Sequence, residues 1–120
     1  MQALTMDDLE VRVKNEGVDF RTKEVGELTM GWVQLAKGVD LSPATVGLPD
    51  DLCPCPHWGY VIKGKVRMKT KDGSQDFAAG EAFYWGPGHA PEALEDSEYV
   101  DFSPSADLEK VIAHLTGGGA

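Results

Sequence analysis

The chain has 120 residues, 42% hydrophobic and 26% charged, which is the length and composition of one ordinary globular domain. Twenty acidic residues oppose eleven basic ones, for a net charge of −9. That sign repels a phosphate backbone and an anionic lipid surface, so no nucleic acid and no membrane partner is expected.

No apolar run approaches the roughly 20 residues of a membrane span. The opening stretch MQALTMDDLE lacks a signal peptide's apolar core. The expectation is a soluble, cytoplasmic single domain over 1–120. The charge is uneven. Residues 1–52 carry ten acids and five bases, and residues 92–120 carry seven acids and one base. Residues 53–91 carry three acids and five bases, together with both cysteines and two of the three histidines. Chemistry is therefore expected in that middle segment.

In chain order, Val11–Val13 and Val18–Arg21 alternate apolar and polar residues as short strands do, with Asn15-Glu16-Gly17 as a turn. Leu28–Ala36 is a third strand, and residues 42–51 are a Pro- and Gly-rich loop. His57–Lys63 and Lys65–Thr70 follow. Lys65, Arg67, Lys69 and Lys71 alternate with Val66, Met68 and Thr70, which predicts a solvated basic edge. Lys71–Ser74 is a hairpin turn. Short strands follow near Phe77 and at Ala82–Trp85, then a rigid loop at Gly86–Pro91 and a last strand at Glu98–Phe102. Leu108, Val111, Ile112 and Leu115 have helical spacing, which predicts a helix over about 106–115 capped by Ser105 or Asp107. Gly117-Gly118-Gly119 ends it as a frayed tail. Many short strands between Gly and Pro turns favour a sandwich or barrel.

Cys53 and Cys55 flank Pro54, and a bridge between them would close a strained ring, so free thiols or ligands are expected. The stretch from Cys53 to Phe102 resembles the cupins, the small jelly-roll β-barrels. Against the family motif G-x5-H-x-H-x(3,4)-E-x6-G, Gly64 takes the closing glycine and His57 the glutamate position. Cys53 falls on the second histidine and Asp51 on the first. Against G-x5-P-x-G-x2-H-x3-N, Gly80 opens the motif, Gly86 stands for the proline and Gly88 matches. Pro91 falls on the histidine, with His89 two residues before it. The resemblance implies an all-β, cupin-type jelly-roll β-barrel with core motifs at about 51–102, N-terminal strands over 11–36 and a short C-terminal helix. The family's metal-ligand pattern is altered.

If the strand runs back through the prolines, Cys53, Cys55 and His57 share a face, and His89 approaches from the Gly-Pro-Gly loop. These four residues form the candidate metal site, for zinc, iron or copper. His57 is the candidate catalytic residue, as ligand or acid/base. The competing reading buries the thiols as small hydrophobes and makes His57 a hydrogen-bonded pocket residue. His114 is read as a surface residue without a role.

Parity places Val61 and Met68 in the ligand pocket, and Trp32, Tyr84 and Trp85 are candidates for lining its mouth. Lys63 and the basic strand temper the acidic field enough for a small anionic ligand. Trp58, Tyr60 and Ile62 share the opposite face and need a cover. The N-terminal segment or a second subunit would serve, and the family resemblance favours a homodimer. The expected function is binding of a small organic ligand, with metal-dependent isomerase, lyase or oxygenase chemistry left open. The alternatives are a non-catalytic binding or sensing module and a thiol-redox protein with low-pKa cysteines.

Overall fold

The structure, a computed structural model, describes residues 1–117. The strands are β1 (Glu10–Lys14), β2 (Val18–Val25), β3 (Leu28–Leu35), β4 (His57–Lys63), β5 (Lys65–Thr70), β6 (Gly73–Ala78), β7 (Ala82–Trp85), β8 (Ala90–Ala93) and β9 (Ser97–Pro104). Helix α1 (Ser105–Leu115) closes the chain. Short 3-10 turns lie at Met6–Asp8, Ser42–Thr45 and Pro49–Asp51. Among the described residues, no helix is long and apolar enough to cross a membrane.

All strand pairs are antiparallel. One sheet has the order β1-β2-β3-β9-β4-β7 and the other β6-β5-β8. Alternate residues of both sheets meet in one core. Val33, Val61, Phe83 and Tyr99 come from the larger sheet, and Val66 and Met68 from the smaller. The two ladders stay separate, so the expected barrel is a two-sheet jelly roll and not a closed ring of strands.

Glycine shapes β4 at two points. A Cβ on Gly59 would meet the Val100 carbonyl and the Phe83 ring, so its absence lets β9 and Phe83 close on the strand. Gly64 has φ 84° at the β4–β5 corner, where a Cβ would meet the Asp96 carbonyl and Ser97.

Three local readings change. The expected loop at Gly86–Pro91 gives way to β8 from Ala90. Pro91 is tolerated there because β8 is the outer strand of its sheet, where a missing N–H breaks no ladder. The basic row is no free edge, because β5 is the central strand of its sheet. Arg67 pairs with Asp76 at 2.9 Å, and Lys69 with Asp40 at 2.6 Å. Helix α1 forms where its spacing predicts, but without a capping side chain. The Ser105 hydroxyl instead donates to the Glu27 carbonyl and meets the Thr29 hydroxyl. Gly117 follows the helix with φ 75°. The predicted glycine tail beyond it lies outside the described residues.

Candidate metal centre

His57 opens β4 with its side chain between the sheets, 8% exposed. Cys53 lies on the segment entering β4, and His89 on the segment entering β8. A two-residue bridge ties them together. The Cys53 N–H donates to the His89 carbonyl at 2.8 Å, and the Gly88 N–H donates to the Cys53 carbonyl at 2.8 Å. Cys53 Sγ then lies 3.8 Å from His57 Nε2, and the two imidazole centroids are 4.9 Å apart. One ligand atom from each of Cys53, His57 and His89 lies within 4.8 Å of the others.

The hydrogen bonds behind the rings prepare them as ligands. His89 Nδ1 is 2.7 Å from the Gly86 carbonyl. A carbonyl only accepts, so Nδ1 carries the proton and Nε2 keeps its lone pair. His57 Nδ1 is 2.6 Å from Ser103 Oγ, which leaves Nε2 on the side of the cysteine. Second partners of this kind orient metal-binding histidines. The Asp101 carboxylate stands 3.7 Å from His57 Nδ1, too far for a hydrogen bond.

Burial sets the charges. It lowers His57 to about 4. It also lowers His89 to about 4, with the neighbouring His57 adding to the effect. Both rings are therefore neutral at pH 7, the form that binds metal. Burial raises Asp101 to about 7, opposed by a hydrogen bond from the Gly31 backbone. It also pushes Cys53 up to about 11 and Cys55 up to about 12. That is the reverse of the activated thiolate a redox pair needs. The thiols are free.

The predicted residues separate into two groups. Cys53, His57 and His89 converge, and Met68 lines the adjoining cavity. Cys55 stands outside the convergent set. It is fully buried and packs beside Leu108, Val111 and Ile112 of α1. Residues 54–56 are not strand, so the alternation that would align Cys55 with its neighbours does not apply. Val61 is buried in the core away from the cavity wall. Trp32 points to the outer face, with its indole N–H donating to Glu98 at 2.7 Å. Tyr84 is also outside, 55% exposed and 5.2 Å from Trp58. The pairs His57↔Trp85 and Trp58↔Tyr84 show why: Trp85 shares the inward parity of His57, and Tyr84 does not.

Asp51 accepts the Gly47 N–H on an exposed turn and does not join the cluster. His114 is not idle. Its Nε2–H donates to the Val46 carbonyl, which ties α1 to the loop before Cys53. Asp101, Ser103 and Tyr99 were missed. They alternate along β9 on one buried face, so the parity rule reaches Tyr99 and Asp101 within the predicted strand, and Ser103 once β9 runs on to Pro104.

The cluster lies on the wall of a cavity of about 280 Å³. Phe20, Val33, Met68, Trp85 and Tyr99 line it between the sheets, and Leu108 and Val111 close it from α1. A more open groove of about 410 Å³ runs past Lys14, Asp19, Lys63 and Asp96, away from the cluster. Lys63 therefore lies on the groove and not on the cavity.

A two-sheet jelly roll with metal-type donors on its inner wall defines the class, and the comparisons place the fold. No family model matches the chain, and no curated protein does. Solved structures do. KdgF from Halomonas sp. is 23% identical at a TM-score of 0.60, covering 83% of this chain and 92% of that one. An RmlC-like cupin from Shewanella frigidimarina is 17% identical at a TM-score of 0.59, covering 84% and 88%. The S161A mutant of Bacillus subtilis oxalate decarboxylase is 21% identical at a TM-score of 0.63, covering 84% of this chain but 28% of that one. The chain has the cupin fold.

Proposed function

We propose that this cupin binds a small organic molecule in the inner cavity and holds a divalent metal through Cys53, His57 and His89. On this reading it is a metal-dependent enzyme of the isomerase, lyase or oxygenase type. The convergence of three donor atoms within 4.8 Å on the cavity wall carries the reading. One thiolate and two imidazoles suit zinc first, and also iron or copper. When bound, the metal supplies Lewis-acid polarisation of a ligand oxygen.

The chain's own residues do the rest. Ser103 and the Gly86 carbonyl hold the two rings by Nδ1, which leaves each Nε2 away from those partners. The apolar wall excludes water. Asp101 keeps a proton beside His57 below about pH 7. Pro91, which lines the cavity at the family's remaining histidine position, favours a second reading: a non-catalytic small-molecule sensor. Elemental analysis of the purified protein, followed by zinc or cobalt titration, tests the metal. One metal per chain is expected, with a cobalt–thiolate absorption band that Cys53→Ser abolishes. A stoichiometry far below one, with no binding on titration, rejects the metal centre.

We also propose a homodimer through the outer face of the larger sheet. Trp58, Tyr60, Ile62, Tyr84 and Phe102 are all 38–55% exposed there. In register, Trp58 lies between Tyr84 and Phe102, so the patch is continuous across three strands. A twofold axis over this face would pair it with its own copy.

A further inference from the structure

Trp85, a residue of the cavity wall, carries a buried polar group for which the described residues provide no partner. Trp85 is 3% exposed, and its indole Nε1 has no acceptor among the described residues. A native interior leaves few such donors unpaired, and each one points to water or a ligand. This donor is not a loose side chain. Phe83 stacks on the indole at 3.6 Å and 10°, and Tyr99 and Phe77 meet it edge-on at 5.0 and 5.7 Å. The ring forms part of the cavity wall beside His57 and His89. An indole N–H only donates, so its partner must be an acceptor.

The remaining wall narrows the class. It is mostly aliphatic and aromatic, and among the described residues no lysine or arginine lines it. Its one carboxyl, Asp101, offers no counter-charge to an anion.

Resting on the ligand-binding reading above, we infer that the cavity takes a neutral, mainly apolar molecule carrying an acceptor oxygen, and that Trp85 Nε1 is the donor that selects that oxygen. The charge of the basic strand left room for a small anion, but its basic side chains do not reach the wall. Lys65, Arg67 and Lys69 belong to β5 but do not line the cavity.

Two probes of nearly the same shape test the inference. Acetophenone has a carbonyl oxygen, and ethylbenzene does not. Calorimetric titration of the purified protein should show acetophenone binding more tightly, by about twofold to tenfold, the range that one neutral hydrogen bond supplies. Trp85→Phe keeps an aromatic ring and loses the donor. It should erase that preference, so that the two probes bind alike, and retained ethylbenzene binding shows that the variant is folded. If the variant does not fold, the wild-type indole N–H resonances serve. The most solvent-protected one should move downfield with acetophenone and not with ethylbenzene. Equal binding of both probes overturns the role of Trp85 and leaves the cavity reading intact. Tighter binding of benzoate than of acetophenone overturns the neutral class. No binding of any probe overturns the cavity reading itself, and this inference with it.

Discussion

Replacing Asp101 with asparagine tests the electrostatics of the site. Asp101 is 6% exposed, and burial moves its carboxyl from 3.8 to about 7. Between about pH 4 and 7 the folded protein holds a proton that the unfolded chain releases. The unfolded state binds fewer protons there, so this group's contribution to stability falls as pH rises through the window. The displacement corresponds to about 4 kcal/mol at most. His57 and His89 act in the opposite direction. Burial lowers both from 6.5 to about 4, so their contribution is complete above pH 6.5 and is lost as pH falls through 4. Each accounts for at most about 3 kcal/mol.

The three slopes overlap in the wild type. The quantity to read is therefore the stability of Asp101→Asn minus that of the wild type, from urea unfolding of chelator-treated protein between pH 4 and 8. The variant should gain on the wild type steadily from pH 4 to 7, by up to about 4 kcal/mol, and then hold level. A difference that does not change with pH over that window would refute the reasoning.

Ser103→Ala removes the hydroxyl behind His57 and should weaken zinc binding by about 10–100-fold in calorimetry, with the fold retained by circular dichroism. Unchanged affinity would mean that Ser103 does not orient the ring. Trp58→Glu combined with Tyr84→Glu should convert a dimer to a monomer in light scattering, and a wild-type monomer would sink the interface. Gly64→Ala forces a side chain into a left-handed corner against Asp96 and Ser97. It should cost about 1–3 kcal/mol in chemical denaturation, and a neutral result would show that the corner relaxes freely.

Local chemistry alone determined a good deal of this protein. Alternation located β1, β2 and β5, because a strand half-covered by a core must repeat with period two, and β-branched and aromatic runs between turn residues located β3, β4, β7 and β9. Helical spacing located α1 for the matching reason, and Gly64 and Gly80 marked corners that other residues resist. The convergence of Cys53, His57 and His89 was partly legible, through the cupin resemblance and the clustering of reactive residues.

The rest depended on contacts between distant segments. Cys55 left the site because Pro54 and Pro56 stop the ladder before β4, and side-chain direction outside a ladder follows no period. Of the two neighbouring candidates, Trp85 lines the cavity and Tyr84 does not, because the β4–β7 register aligns Trp85 with His57. Asp101 and Ser103 reached His57 from more than forty positions along the chain, through the pairing of β9 with β4. The −9 charge of the chain told least about the site. Its wall is nearly free of charge, because only the folded structure decides which side chains leave water.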